Sequence, residues 1–388
     1  MSALSDLIYR LKDLGNNRNS EGAIPASVNA LNKAVKEVAS KTQLLDRDQV
    51  IWLGIDSLTE NAGGFTYNTV LEKMARGAVG WGGRWVPFSD VTPWGEFTIY
   101  KQGINDISPL PYTDVRRQRS LDGRGFFTSP GADCIFLLEP AFNWSFADVY
   151  YLQAPGGGSF NIDRPTGQTA VPVNTNGALS IQRVRITNNL RNGAATNNNA
   201  IRVQSNPVSA TFTVYGVMFY SGDAGPCFVN VAQGGRKLTD QMLFDESFQR
   251  SWFDMLGITH AVINAGMNDR TSSSASKFQS DLTAVLRRFA AGTDITVIRP
   301  ANPSDNLIDN YDSVYPSVAA QFNGKYIDTK SVYGSYATFI ARGWMLDGVH
   351  PNQHFQYRLA QDVCTLLFGS ARYVNTPPVI NYVGGDPQ

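Results

Sequence analysis

Apolar positions along the chain fall into three regimes. In residues 1–49, Leu4, Leu7, Ile8, Leu11 and Leu14 recur at helical spacing and stop at Gly15. After the polar stretch 15–22, with Pro25 and Ser27 at the start, a second stripe of Val28, Leu31, Val35, Val38, Thr42 and Leu45 advances in alternating steps of three and four. That stripe fits the seam of a short coiled coil and equally the face of a helix packed on its own domain. From Val50 the pattern changes. The unbroken run 50–54 predicts a buried strand and 67–78 the helix after it. The alternation resumes later, with strands over 227–231, 260–264 and 294–299 and helices near 239–256, 274–291, 309–322 and 353–368. Such a succession predicts an α/β domain with a doubly wound parallel sheet and a ligand site at the carboxyl ends of its strands. Between these parts, residues 81–225 are rich in Gly, Asn, Thr and aromatics, and 179–187, 201–204 and 212–220 read as strands. This segment is expected to be an all-β sandwich or jelly roll grafted onto a loop. The resulting plan is a helical segment 1–49, an α/β domain of 50–80 and 226–370, an insert 81–225 and a tail 371–388.

Composition narrows the partners. The chain has 388 residues, 43% hydrophobic and 17% charged, enough to bury a large core. Lys plus Arg equals Asp plus Glu at 33 each, so the global basic field that nucleic-acid binding draws on is missing, and no nucleic acid is expected. The start, MSALSDLIYRLKDLG, places charges among its apolar residues, so neither a signal peptide nor a membrane span is expected. Cys134, Cys227 and Cys364 are odd in number and far apart, which fits buried apolar residues better than a disulfide framework. Trp94, Trp144, Tyr150 and Tyr151 of the insert would stack on sugar rings if exposed, although core packing is the commoner role. Arg116, Arg117, Arg119 and Arg124 form a basic run that either faces an acidic polysaccharide or is paired with Asp114 and Asp122.

Four segments carry candidate chemistry, and all fall at expected strand ends or just before the last helix. Ser57, in Asp56-Ser57-Leu58-Thr59, follows the first strand. Gln233-Gly234-Gly235-Arg236 follows the second, and Gly266-Met267-Asn268-Asp269 the third. Asp347-Gly348-Val349-His350 precedes the final helix, with an acid placed to orient an imidazole through Nδ1 while Nε2 takes a proton from a serine. A glycine N–H and an asparagine amide are suitable donors to a developing oxyanion. His350 and His354 are four apart, but Pro351-Asn352-Gln353 supplies no glutamate and no third ligand is evident, so no metal is expected. His260 opens a core strand and reads as structural.

In this order the segments resemble the SGNH (GDSL-type) hydrolase superfamily. The resemblance covers about 50–80 and 227–368, and not the insert or the first 49 residues. It implies a flavodoxin-like three-layer α/β/α fold, with Ser57 as nucleophile, Asp347 and His350 completing a triad, and Gly235 and Asn268 joining the Ser57 N–H in the oxyanion hole. Gly234 is an alternative to Gly235. Gly54-Ile55-Asp56-Ser57 departs from the family pattern by an extra Ile before the Asp. The implied activity is a cofactor-free serine esterase, and the Asn- and aromatic-rich insert with the Gly-Arg pair turns the expectation toward O-acetyl groups of a polysaccharide. The whole plan resembles bacteriophage tailspike and tail-fibre esterases, which implies a virion protein acting on the host surface, with residues 1–49 forming a homotrimer or attaching to the virion. A non-catalytic receptor-binding protein and an SGNH lipase or thioesterase are the alternatives.

Overall fold

The computed structural model describes residues 49–56, 58, 59, 67, 70–72, 74, 75, 82–88, 97–102, 107–111, 113–130, 135–140, 142–163, 170–188, 200–205, 210–221 and 225–368. The stripe from Val28 to Leu45, Ser57, Trp94, Cys134 and the tail 371–388 lie outside the described residues.

Five parallel strands build the centre: β1 (Val50–Ile55), β13 (Cys227–Asn230), β14 (His260–Asn264), β15 (Asp294–Arg299) and β16 (Lys325–Asp328). They lie in the order β13-β1-β14-β15-β16, which is the 2-1-3-4-5 order of a flavodoxin-like sheet. The inner strands β1, β13 and β14 are mostly apolar runs because both faces are covered, and every residue of the three is buried. Ile51 and Leu53 point to one face. They pack with Tyr67, Val70 and Leu71 and with the helix Gln353–Phe368 through Phe355, Leu359 and Val363. Val50 and Trp52 point to the other, against the helices Glu246–Leu256, Ala275–Leu286 and Val314–Gln321. Asp245 caps the first of these, accepting from the amides of Ser247 and Phe248. This cap restarts the chain after a separate short helix, Leu238–Gln241, so the single helix expected over 239–256 is two.

The insert is joined to this sheet. Its strands are β2 (Gly83–Pro87), β3 (Phe97–Gln102), β4 (Ile107–Pro109), β5 (Phe126–Thr128), β6 (Ile135–Pro140), β7 (Phe146–Gln153), β8 (Ser159–Asp163), β9 (Val171–Asn174), β10 (Ser180–Thr187), β11 (Ile201–Ser205) and β12 (Thr213–Tyr220). Strand β2 pairs in parallel with β13, β12, β7 and β10 follow in antiparallel pairs, and β5 pairs with β12 and β4 with β5, which extends the central sheet to 11 strands among the described residues. A second antiparallel sheet of 5 strands, β3-β6-β11-β8-β9, completes the sandwich. One apolar cluster joins the two, with Val86, Val149, Val214, Val217 and Phe219 from the extension and Leu138, Phe160, Ile162 and Val203 from the second sheet. The opposite face of the extension, through Trp85, Tyr150 and Tyr215, packs on Trp252. The boundaries at 80/81 and 225/226 therefore mark a change of composition and not a break in the sheet. A buried ion pair reinforces the seam, with Arg84 of β2 donating from Nε to Glu72 at 2.7 Å.

The described aromatics of the sugar-stacking expectation belong to the core instead. Trp144, Tyr150 and Tyr151 are 4%, 0% and 8% exposed: neighbouring positions of β7 put Tyr150 against Trp252 and Tyr151 against Phe160, and Trp144, just before the strand, packs on Phe219. Cys227 and Cys364 are buried in apolar clusters and form no disulfide with each other.

Candidate active site

Strand β1 ends in a tight turn. The Asp56 carbonyl accepts from the Thr59 amide at 3.0 Å and its Oδ1 from the Leu58 amide at 3.0 Å, which fixes the chain on both sides of position 57 at the carboxyl edge of the sheet. Ser57 itself lies outside the described residues. Asp56 is 1% exposed, and burial pushes its carboxyl up to about 7 despite the Leu58 amide; the charge of Asp269 adds to the rise.

The segment after β13 runs beside this turn. The Val231 amide donates to Leu53 O and the Gln233 amide to Ile55 O, each at 2.9 Å. Asn230 ties the two segments: its Nδ2 donates to Thr59 O at 3.3 Å and its Oδ1 accepts from the Ala232 amide at 2.9 Å. Residues 233–236 then form a turn closed by the Arg236 amide on Gln233 O, with Gly235 third at φ +75°, the position of a type II turn that calls for glycine. Gly234 and Gly235 are both exposed at the edge.

The third segment leaves β14 through Gly266 at φ +110°, where a Cβ would lie 2.4 Å from the Tyr315 hydroxyl oxygen, so no larger residue fits. Two residues on, Asn268 Nδ2 donates one hydrogen to the Arg236 carbonyl at 3.0 Å. That bond holds the amide beside Gly235 and directs its second N–H elsewhere. Asp269 is buried and accepts from the Leu238 amide at 3.0 Å; burial pushes it up to about 6, against the lowering effect of that amide.

The fourth segment is closed by its own acid. Asp347 Oδ1 accepts from the amides of Val349 and His350, both at 2.7 Å, and Oδ2 meets His350 Nδ1 at 2.9 Å. Burial opposes ionisation of Asp347, but the His350 amide and ring and the Val349 amide together hold its carboxyl below the usual carboxylate range. With Nδ1 donating to a carboxylate, Nε2 is the imidazole nitrogen left to act as a base. The loop is held to the rest of the edge at Gly348, whose carbonyl accepts from the Ser304 amide at 2.8 Å, while Asp305 pairs with Arg270 at 3.0 Å.

The structure thus brings Asp347 and His350 into contact, sets Asn268 beside the Gly235 turn and places both neighbours of Ser57 at the same sheet edge. His354 is exposed on the last helix, its amide donating to Asn352 Oδ1 at 3.0 Å. His260 is buried between Thr259 and Asp294, and burial lowers its pKa. Sequence reasoning overlooked Asn230 and the main-chain role of Arg236. A polar residue ending an otherwise apolar strand was the available signal for Asn230.

The described residues have the α/β fold of SGNH hydrolases with an additional all-β sheet. Among solved structures, a peptidoglycan O-acetylesterase matches 86% of this chain and 94% of its own, with a TM-score of 0.64 at 14% identity. The acetylxylan esterase Axe2 from Geobacillus stearothermophilus matches 39% of this chain and 76% of its own, with a TM-score of 0.31 at 16% identity. A family two carbohydrate esterase from Cellvibrio japonicus covers 70% of this chain and 97% of its own, with a TM-score of 0.27 at 9% identity. No protein-family model matches the chain, and no curated protein matches it in sequence.

Proposed function

We propose that the chain is a serine esterase that removes O-acetyl groups from a polysaccharide. The observation that carries this reading is the Asp347–His350 contact at a sheet edge that also holds the Asn268 amide on Arg236 O. In the reaction His350 Nε2 takes the Ser57 hydroxyl proton as Oγ attacks the ester carbonyl, and Asp347 stabilises the imidazolium and keeps its tautomer. The amides of Ser57 and Gly235 and the second Nδ2–H of Asn268 receive the oxyanion. The imidazolium then protonates the sugar alkoxide, and a water activated by the same nitrogen releases acetate and restores the serine. The acetyl and carbohydrate preference is supported by the polar insert beside the site and by the likeness of 86% of the chain, insert included, to a peptidoglycan O-acetylesterase.

Turnover of an aryl acetate against an aryl octanoate, followed by acetate release from acetylated bacterial polysaccharides, tests the reading. Faster octanoate turnover would favour a lipase, and no ester hydrolysis would leave a binding protein. The virion role is a further part of the proposal, supported by the stripe of residues 28–45 and the resemblance of the plan to tailspike esterases: this segment joins three copies and anchors them to a tail.

A further inference from the structure

The insert and the oxyanion segment hold each other at two points that the esterase reading does not use. Arg236, 6% exposed, donates from Nη2 to Asp122 O of the insert at 2.7 Å. Arg124 of the insert, 8% exposed, donates from Nη2 to Ala232 O at 2.5 Å in the opposite direction. The rest of the basic run is taken up by other partners: Arg116 pairs with Asp114, Arg117 donates from Nη1 to Leu110 O at 3.1 Å, and Arg119 lies over the Phe248 ring. Arg124 carries the run to the oxyanion segment.

The two bonds fall on the two ends of the turn that presents Gly235. Ala232 leads into it, with its amide on Asn230 Oδ1 at 2.9 Å and its carbonyl on Arg124, so both peptides flanking Ala232 are fixed. Arg236 ends it. Its amide closes the turn on Gln233 O at 3.2 Å, its carbonyl accepts from Asn268 Nδ2 at 3.0 Å, and its guanidinium also reaches Val231 O at 3.4 Å and Gln233 Oε1. Between these ends nothing stands within 4 Å of a Cβ added at Gly235, so no neighbouring side chain wedges that residue and the ends of the turn set the direction of its amide. The anchor in the insert is itself fixed. Asp122 is 1% exposed; its Oδ1 accepts from the Arg124 amide at 3.0 Å, and its Oδ2 meets Arg124 Nη1 at 3.6 Å and the Trp85 indole N–H at 3.5 Å. One planar guanidinium thus spans the Asp122 carboxylate and the Ala232 carbonyl, a geometry that the point charge of a lysine does not reproduce.

We propose that Arg124 of the insert is a positioning residue for the oxyanion hole: through Ala232 O it sets the 233–236 turn, and with it the Gly235 amide and the Asn268 amide held on Arg236 O. The inference rests on the esterase reading for its catalytic meaning, and it gives the insert a duty in the reaction separate from any affinity for polymer. The test uses Arg124→Lys and Arg124→Gln in the full chain, with folding checked by circular dichroism and thermal unfolding. On a soluble aryl acetate kcat should fall roughly 10-fold to 100-fold, the scale of a displaced donor and less than that of a missing one, with KM within about twofold. The acid limb of the pH–rate profile, set by His350, should stay in place because the triad is untouched. Asn268→Ala combined with Arg124→Lys should cost less than the product of the two single losses, since both changes act on the same donors. Heteronuclear NMR of the folded Arg124→Lys protein supplies a readout without turnover: the Gly235 backbone amide and the Asn268 side-chain amide should both shift. Unmoved resonances overturn the proposal, as do a kcat within about twofold of the natural protein in the folded variants, a loss confined to KM, or a displaced acid limb. If the natural protein hydrolyses no ester, the esterase reading fails, and the Gly235 and Asn268 resonances still decide whether Arg124 sets the turn.

Discussion

Asp56 and Asp269 are buried acids directly behind the candidate catalytic residues, with carboxyls raised to about 7 and about 6. A carboxyl whose folded pKa exceeds its unfolded value stabilises the fold most at low pH and loses that contribution as pH climbs through the folded pKa. For Asp56 the window runs from about 4 to 7, with up to ~1.4 kcal/mol lost per pH unit. Asp56→Asn removes the titration, so the variant should gain stability relative to the natural protein as pH rises across that window, measured by urea unfolding at pH 4.5 and 8. A constant difference at the two pH values would mean that Asp56 does not titrate there. At the catalytic residues themselves, Ser57→Ala and His350→Ala should each lower aryl acetate turnover by several orders of magnitude, and Asn268→Ala by roughly 10²-fold to 10³-fold. An Asp347→Asn protein should fold and lose about 10⁴-fold in kcat, because an amide cannot hold the tautomer that leaves Nε2 basic. Near-full activity in Ser57→Ala would move the nucleophile to another residue.

At the scale of elements, two glycines with positive φ separate catalytic geometry from packing. At Gly235 nothing stands within 4 Å of an added Cβ, so Gly235→Ala should cost only the ~1–2 kcal/mol of a left-handed alanine while reducing kcat by tilting the turn amide. Gly266 has the Tyr315 hydroxyl 2.4 Å from the added Cβ, besides its φ of +110°, so Gly266→Ala should destabilise by roughly 3 kcal/mol or more and displace Asn268. Thermal unfolding and kcat on the two variants give the contrast; equal stability losses would contradict it. Of the elements, the strands 260–264 and 294–299 and the helix 353–368 were legible to the residue, since an apolar run or a helical stripe ends there against polar residues. Strand β16 was not, because Lys325-Tyr326-Ile327-Asp328 is a short edge strand whose pattern is no stronger than that of a loop.

For the whole molecule, the continuous sheet decides how the insert can be treated. Removing residues 95–222 would leave β2 beside β13 with no β12, β7 or β10 and would bare the face of Trp252 that Tyr150 and Tyr215 cover. Such a deletion should yield an aggregating or unfolded protein instead of a small active esterase, as circular dichroism and size-exclusion chromatography would show; a folded, active core would mean that the extension is dispensable. Association is settled by sedimentation equilibrium of the full chain and of a chain starting at Asp46. A trimer that dissociates on truncation is expected if residues 28–45 form a coiled coil, and a full chain that stays monomeric at micromolar concentration ends that part of the proposal.

The sequence by itself determined the α/β succession and the four segments that meet at one sheet edge, since strand ends and the Asp347-to-His350 spacing are local properties of the chain. Tertiary structure alone decided that the insert extends the central sheet, that Tyr150 and Trp144 face core, and that Arg236 bonds the insert at Asp122. These facts depend on pairings between residues more than a hundred positions apart, as between Arg236 and Asp122. Hydrophobic periodicity tells a segment to bury a face and leaves open which partner buries it.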